Sequence, residues 1–371
     1  MSDLLLEGSK IAYRHTAAPL DAATLNAALY CIDAIAPNEQ LIAKADHLIL
    51  QLESWLCLTP PQSPPNPPLG AKFDFSPGRW EREALCAHGV VIIAPSPFSL
   101  VSLSVLELCI RLKIPVQAIV LRRFTLNRFV QESHRDGIGR LLKKIWRKLV
   151  LRADENAAKT NVSLKSISRA LKPQSTSVRS LARRNHIPVI AVAEFDQSIS
   201  RLRALSPQLA IFTGGGLIKK PVIDVFERGI LNIHMGALPQ YKGMDVVQAP
   251  ILDGSFEFVG LTGHFMTAEL DAGPVLSWFN VDAQFYSSLT ALRNELSAVT
   301  PLIAIDTALG IFSGRLPLNA QPGVGRQYYF IHQRLDAVIE TVLSKRAAAR
   351  ANQPPANQIT RVTSAFLAGL V

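Results

Sequence analysis

Short apolar runs that alternate with helical segments constrain the fold of this chain more than any other feature. The runs at 89–94 and 116–121 are each long enough for one buried strand, and an apolar helical stretch at 100–112 separates them. A strand, a helix and a second strand at this spacing form a unit whose strands pair in parallel through a right-handed crossover. The pattern therefore predicts an α/β domain with a mostly parallel sheet.

The same alternation returns further along the chain. Three helical segments and three apolar runs follow one another there: 176–185, 187–190, 196–204, 209–212, 221–228 and 229–234. Strands that are apolar on both faces occur in sheets covered by helices on both sides. We therefore expect an open, doubly wound, mostly parallel sheet.

Helical periodicity and proline content divide the chain. Apolar residues at three- and four-residue steps before residue 58 predict helices, as do residues 327–349. Six prolines within 59–68 exclude a helix interior or a central strand there. The expected units are a small helical N-terminal module, a proline-rich linker, the α/β domain and a helical C-terminal extension: 1–58, 59–87, 88–315 and 316–371, respectively.

Residues 122–175 are too long for an ordinary connection, so we expect an insertion in the α/β domain. Ten Lys and Arg residues lie between Arg122 and Arg152 among several leucines, which predicts a basic amphipathic helix. It can be a solvated face packed by its leucines, or it can contact a phosphate-rich substrate such as RNA or an anionic membrane surface. The formal charge of the chain, +10, also suits a phosphate-bearing partner.

The cysteines and the hydropathy of the chain help to predict its cellular compartment. The four cysteines have neither CxxC spacing nor a metal-ligand pattern, so we expect neither a disulfide framework nor a bound metal. The first ten residues lack a basic segment before a long apolar run, and no stretch approaches 18 uninterrupted apolar residues. These features favour a cytoplasmic protein without a signal peptide or a transmembrane segment.

Polar side chains gather around the predicted strand at 229–234. Asn232 and His234 are two residues apart and so lie on one face of a strand, and Asp271 follows the next predicted strand at 259–265. An amide can donate to a developing oxyanion, an imidazole can carry a proton, and a carboxylate can set the charge of that imidazole. The spacing alone fits a structural histidine and an ordinary turn equally well.

Three segments carry a family resemblance: Asn232-Ile233-His234, Leu238-Pro239-Gln240-Tyr241-Lys242-Gly243, and His264-Phe265 followed by Asp271-Ala272-Gly273. In order and spacing they resemble the signature of the 10-formyltetrahydrofolate-dependent formyltransferases, which include methionyl-tRNA, glycinamide-ribonucleotide and nucleotide-sugar enzymes. The resemblance covers residues 88–121 and 176–285. It implies a Rossmann-like fold and one-carbon transfer from 10-formyltetrahydrofolate to an amine.

The resemblance also implies roles for individual residues. Asn232 and His234 would stabilise the oxyanion formed when the amine attacks the formyl carbon, and Asp271 would assist proton transfer. The residues that would bind the folate are Gly214, Gly215, Gly216, Leu217, Ile218, Ala268 and Glu269. Those that would contact the acceptor are Tyr241, Lys242, Asp245 and His264.

Departures from the family pattern leave the acceptor open. Gly236 replaces the usual serine, and the turn at 94–99 lacks the glycine-rich phosphate loop of the glycinamide-ribonucleotide enzymes. The residues after 315 do not resemble the C-terminal barrel of the tRNA enzymes. We expect an amine on a phosphorylated or nucleotide-linked metabolite, with tRNA possible through the basic insertion. The alternatives are hydrolysis of 10-formyltetrahydrofolate and a non-catalytic binding module that uses the basic helix.

Overall fold

The structure, a computed structural model, describes most of the 371-residue chain outside the predicted insertion. The described residues are 21–34, 38–61, 68–73, 77–85, 87–123, 167, 171, 175–243, 246–323, 325–328 and 330–352. Most of the predicted basic helix and the predicted acceptor residue Asp245 lie outside them.

A large sheet forms the centre of the molecule. The strands of the described part are β1 (Ala71–Lys72), β2 (Val90–Ala94), β3 (Val116–Arg122), β4 (Val189–Val192), β5 (Leu209–Phe212), β6 (Gly229–His234), β7 (Tyr241–Gly243), β8 (Val259–Phe265), β9 (Val275–Val281) and β10 (Arg326–Tyr328). Eight of them form one sheet in the order β1-β9-β8-β6-β5-β2-β3-β4, and β10 pairs with β7 separately. The run from β6 to β4 is parallel, whereas β8 is antiparallel to both β6 and β9.

Strand β2 illustrates why the sheet is covered on both faces. All five of its residues are buried, and they are β-branched or small. Val90, Ile92 and Ala94 belong to one hydrophobic cluster, whereas Val91 and Ile93 belong to another. Because successive side chains of a strand point to opposite faces, both faces of β2 lie in hydrophobic core. The predicted doubly wound, mostly parallel sheet is confirmed.

Helices cover the sheet and extend beyond it. In the described residues they are α1 (Ala22–Ala34), α2 (Glu39–Leu58), α3 (Pro77–Ala84), α4 (Leu100–Arg111), α5 (Val178–Arg184), α6 (Ile199–Leu205), α7 (Lys220–Ile223), α8 (Gln248–Leu252), α9 (Leu289–Phe312) and α10 (Gln333–Ala349). Short 3₁₀ turns lie at Phe195–Ser198, Phe256–Phe258 and Ala283–Phe285.

Two predicted helices have different bounds in the structure. The one expected at 221–228 is only the short α7, because the amides of Glu227 and Arg228 bond to the carbonyls of Pro207 and Gln208 just before β5. The helix expected at 327–349 begins at Gln333, because the preceding residues pair with β7 as strand β10. In both places contacts with a distant segment replace helical hydrogen bonds.

Helix α9 is the longest helix of the described chain. By length and composition alone it could cross a membrane, and 83% of its apolar window is buried inside the protein. Its one buried carboxylate, Asp306, accepts hydrogen bonds from Arg79 (2.5 Å), Trp80 (2.9 Å) and Arg315 (3.2 Å). These partners satisfy the buried charge and tie α9 to α3.

Helix α2 packs on α10, the last helix of the described chain. Leu52 of α2 and Ile339 of α10 are fully buried in the same hydrophobic cluster as alternate residues of β2. Asp21, next to α1, makes a bidentate ion pair with Arg326 of β10 at 2.6 and 2.8 Å. Segments from the predicted N-terminal module and C-terminal extension thus contact each other and the sheet, and the four unit boundaries stay a prediction.

Candidate active site

Strand pairing brings the first two site residues together. In the antiparallel pair of β6 and β8, Asn232 lies directly opposite His264, and His234 lies opposite Thr262. Residues opposite each other point to the same face, so their side chains meet. The amide Nδ2 of Asn232 is 3.1 Å from Nε2 of His264.

The hydrogen bonds of His264 define its tautomer. Its Nδ1 lies 3.0 Å from the carbonyl oxygen of Phe265, which can only accept, so Nδ1 carries the hydrogen. In the neutral ring Nε2 then accepts from Asn232. Burial, reinforced by the neighbouring His234, lowers the pKa of His264 to about 4 even though Asp271 opposes the shift. His264 is therefore a neutral acceptor that orients the Asn232 amide near neutral pH.

His234 has a partner at each ring nitrogen. Its Nε2 donates to the carbonyl oxygen of Tyr241 at 2.9 Å, and its Nδ1 lies 3.6 Å from Oδ2 of Asp271. With the hydrogen of the neutral ring on Nε2, a bare Nδ1 would face a carboxylate, and the two would repel. A proton between Nδ1 and the carboxylate makes the contact attractive, so this pair is a natural place to hold a proton.

Asp271 lies in a tight turn between β8 and β9. It is 8% exposed and has a left-handed backbone with a φ of +51°. Its Oδ2 accepts from the amide of Gly243 at 3.0 Å, and its Oδ1 lies 3.8 Å from Nε2 of His264. Only glycine fits two residues later, because a Cβ on Gly273 would lie 1.8 Å from the carbonyl oxygen of Phe265.

Gln321 is a site residue that the sequence analysis missed. Its Nε2 donates to the main-chain oxygens of Asp271 at 2.9 Å and of Gly273 at 2.6 Å. Gln321 lies in an irregular segment 50 residues after Asp271. No local pattern marks such a residue, and only a family alignment could have pointed to it.

The loop after β6 approaches His234 closely. The Thr262 hydroxyl donates to the Gly236 carbonyl at 2.6 Å and accepts from the Leu238 amide at 3.2 Å, which anchors the loop on β8. A Cβ on Gly236 would lie 2.7 Å from Nε2 of His234 and 2.8 Å from the Tyr241 carbonyl oxygen. The loop therefore has no room for the serine that the family pattern usually has here.

The triple-glycine loop lies beside β6. Phe212, the last residue of β5, pairs in parallel with Asn232, so the loop begins two residues beyond that pair. Gly214, Gly215 and Gly216 have φ values of +113°, +129° and +100°, which residues with side chains rarely adopt. The loop follows β5 next to β2, where the chain direction across the sheet reverses, and such switch points bind ligands in open α/β sheets.

The other predicted binding residues have varied surroundings. Leu217 is 70% exposed, Ala268 and Glu269 are exposed, and Ile218 is buried. Tyr241 is buried with its ring 5.4 Å from that of Tyr328, so it reaches the site through its carbonyl group. The half-buried Lys242 lies next to it on β7, and the buried His264 contacts Asn232.

Within the described ranges, no group of three His, Cys, Asp or Glu side chains could hold a metal ion. Cys31, Cys57 and Cys109 are free thiols.

Comparison with protein families identifies a match that begins before β4 and ends within α9. Residues 153–306 match the family model described as formyl transferase. The matched segment includes β4 to β9 and with them Asn232, His234, His264 and Asp271. The first strand–helix–strand unit lies outside the match.

Curated relatives are methionyl-tRNA formyltransferases. The enzyme of Saccharopolyspora erythraea is 29% identical over 185 residues, which are 49% of this chain and 60% of the relative. That of Magnetococcus marinus is 26% identical over 205 residues, 54% of this chain and 62% of the relative. The chain thus spans about half to three-fifths of the length of the curated relatives that it matches.

Solved structures of low sequence identity align with the chain. A glycinamide ribonucleotide transformylase from Symbiobacterium toebii aligns with a TM-score of 0.43 and 18% identity, covering 64% of this chain and 95% of that protein. An N-formyltransferase from Helicobacter canadensis, in complex with folinic acid and dTDP-3-aminofucose, aligns with a TM-score of 0.41 and 13% identity, covering 73% and 84%.

The family model and the sequence motifs concern the same strands. The motif residues Asn232, His264 and Asp271, predicted from separate segments, lie within hydrogen-bonding or ion-pair distance of one another or of His234. Over residues 153–306 the chain resembles the formyltransferase family.

Proposed function

We propose that this protein transfers a formyl group from 10-formyltetrahydrofolate to a primary amine. One observation carries the proposal: Asn232, His264, His234 and Asp271 form a single connected network at the end of β6. The glycine loop lies at the end of the neighbouring strand. Acyl transfer to an amine requires a hydrogen-bond donor to the oxyanion and a pair of groups that can hold a proton, both of them beside the bound ligand.

Asn232 supplies the oxyanion donor in this proposal. Its amide has two N–H groups, and the neutral His264 accepts from one of them. The bond holds the amide in one orientation, so the second N–H is available to the oxygen that becomes negative as the amine adds to the formyl carbon. A donor held in place before the reaction costs little reorganisation during it.

In this proposal His234 and Asp271 take part in the proton transfer from the attacking amine to the folate nitrogen. The attacking amine becomes positively charged and must lose a proton, and the departing nitrogen of the folate must gain one. Nδ1 of His234 and Oδ2 of Asp271 lie 3.6 Å apart, so two groups that can each accept a proton are side by side. Because Nε2 of His234 is bonded to the Tyr241 carbonyl oxygen, the cationic ring would stabilise the oxyanion through its charge.

The exposed residues near the network fit a flat, partly apolar donor. Leu217, on the glycine loop, is 70% exposed, and Leu270, next to Asp271, is 50% exposed. Exposed apolar side chains beside main-chain polar groups suit an aromatic ring edged with donors and acceptors, such as a pterin. The folate supplies the formyl group, and we propose Gly214–Gly216, Leu217, Ile218, Ala268 and Glu269 as its contacts.

For the acceptor we propose an amine on a phosphorylated or nucleotide-linked molecule. The formal charge of +10 favours a phosphate-bearing partner. Relatives named methionyl-tRNA formyltransferase make an aminoacyl-tRNA one candidate. Lys242, the neighbour of Tyr241 on β7, is the described cation that we propose for acceptor contact, together with Asp245 of the same loop.

The test is the release of tetrahydrofolate from 10-formyltetrahydrofolate, followed by absorbance with methionyl-tRNA, glycinamide ribonucleotide and nucleotide-linked amino sugars. We expect release that depends on one class of acceptor. Asp271→Asn, which still accepts from the Gly243 amide, should lower kcat by about 10²-fold or more and leave donor binding intact. The control Asp224→Asn changes an exposed carboxylate paired with Lys220 and should have wild-type activity. Release without an acceptor would indicate hydrolysis instead, and absence of both release and folate binding would contradict the proposal.

A further inference from the structure

We propose that Gln321 is a positioning residue that fixes the turn carrying Asp271 and thereby sets the contact between Asp271 and His234. The proposal rests on the proposed function for its consequence in catalysis. Its structural part, that one side-chain amide holds the Asp271 turn, can be tested separately.

The geometry of the Gln321 amide is the first step. Its Nε2 lies 2.9 Å from the main-chain oxygen of Asp271 and 2.6 Å from that of Gly273. Two carbonyl oxygens that converge on one point repel each other unless a donor lies between them. A side-chain NH₂ has two hydrogens and can satisfy both oxygens at once. Gln321 therefore compensates a repulsion that the turn creates.

The turn itself needs outside support on the Asp271 side. Asp271 has a left-handed backbone, which residues other than glycine adopt at a cost. On the other side, Gly273 is already fixed, since its Cα packs against the Phe265 carbonyl group. Without Gln321 the Asp271 end of the turn is free to relax toward an unstrained backbone, and its carboxylate would move with it.

A short pairing brings Gln321 to the turn. The main chains of Asn319 and Val275 form two reciprocal hydrogen bonds, of 2.9 and 3.0 Å, directly after the turn. Gln321 lies two residues beyond Asn319 and is half-buried. Its Oε1 is buried and makes no hydrogen bond with the residues that the structure describes, so the fixed contacts of the side chain are those of its NH₂ group.

A small displacement of Asp271 would disrupt the network. Its Oδ2 is 3.0 Å from the Gly243 amide and 3.6 Å from Nδ1 of His234. A change of about 1 Å in the placement of a catalytic group can lower the rate by about 10²-fold. We therefore expect Gln321 to affect turnover through the placement of Asp271, without contacting either substrate.

The experiment compares Gln321→Leu with Gln208→Leu. Both glutamines are half-buried. Gln208 lies just before the first residue of β5, whereas the site lies at the carboxyl end of β6, and the side-chain Oε1 of Gln208 accepts a hydrogen bond from Nε of Arg228. We expect Gln321→Leu to lower kcat by roughly ten- to hundredfold and to leave the KM of both substrates within about twofold. Gln208→Leu should match the wild type in both.

A second readout separates this proposal from the proposed function. In ¹⁵N-labelled protein, the backbone amide signal of Gly243, which donates to Oδ2 of Asp271, should shift in Gln321→Leu and stay unchanged in Gln208→Leu. This measurement needs no turnover, so it tests Gln321 even if formyl transfer is absent. If Gln321→Leu does not fold, Gln321→Glu keeps the side-chain length, removes the donor and gives the same comparison. An unchanged Gly243 amide signal, or a kcat equal to that of the wild type, would overturn the positioning role.

Discussion

At the scale of single residues, Gly236 determines how closely the loop after β6 approaches His234. A Cβ at this position would lie 2.5 Å from Cγ2 of Val246 and 2.7 Å from Nε2 of His234. We expect Gly236→Ser, which restores the usual residue of the family pattern, to lower the free energy of unfolding by about 1–3 kcal/mol through overpacking. It should also lower activity by displacing His234.

Urea denaturation and the formyl-transfer assay measure these two effects. Gly323→Ser is the matched control, because a Cβ there meets nothing within 4 Å. Equal stability and activity in the two variants would show that the loop can open without cost and that Gly236 is not needed for the packing around His234.

The site residues differ in how far the sequence reveals them. The pairing of Asn232 with His264 follows from two short apolar strands and the family motifs, and the structure has them directly opposite each other. The partner of Nε2 of His234 is a main-chain oxygen, which no side-chain motif can indicate. Gln321 could not be predicted for a related reason, because its hydrogen bonds with the Asp271 turn depend on where the chain returns after α9.

At the scale of elements, one arginine holds the glycine loop in place. Arg122, at the end of β3, bonds to the Gly215 and Ala193 carbonyl oxygens and, at 2.9 Å, to the Glu194 carboxylate. Its guanidinium also lies 5.2 Å from the centre of the Phe195 ring. A Cβ on Gly216 would lie 2.7 Å from Nη1 of Arg122. A side chain at position 216 would therefore have to displace this guanidinium.

We expect Arg122→Met to release the loop and weaken folate binding. Loss of hydrogen bonds from a charged group costs roughly 1.5–3 kcal/mol, so the Kd for 5-formyltetrahydrofolate should rise about tenfold or more. Isothermal titration calorimetry measures the change. Lys219→Met removes an exposed ion pair with Asp196 from the same region and should bind normally. If both variants bind folate equally well, Arg122 does not shape the folate site.

The elements that the sequence predicted well are the short apolar runs. β2, β5, β6 and β8 are such runs in the sequence, and at least half of the residues of each are buried in the structure. β1 and β10 have only two and three residues, too few for any periodicity. They exist because a neighbouring strand offers free backbone groups, which is information outside the local sequence.

At the scale of the whole molecule, Asp253 lies where the two ends of the described chain meet. It borders a cavity of about 200 Å³ lined by residues of α1, α8 and β10. The hydroxyl of Tyr328 donates to its carboxylate at 2.9 Å, and Arg326 lies near it but forms its bidentate ion pair with Asp21. Burial raises the pKa of Asp253 from 3.8 to about 6, because the hydroxyl and the nearby guanidinium only partly offset the loss of solvation.

This raised pKa makes stability depend on pH in a defined direction. Because the folded state holds the Asp253 proton more tightly than the unfolded state, the contribution of this group is most favourable below pH 4 and is lost as the pH rises through about 6. Asp253→Asn removes the buried charge and keeps an acceptor for Tyr328. We expect it to raise the free energy of unfolding by about 1 kcal/mol at pH 8 and to match the wild type near pH 4. Urea denaturation at the two pH values measures this, with Asp224→Asn as an exposed control that should change little at either pH. A variant less stable than the wild type at pH 8 would mean that Arg326 and Tyr328 stabilise the carboxylate more than burial penalises it, and that this charge helps to join the N-terminal helix to β10.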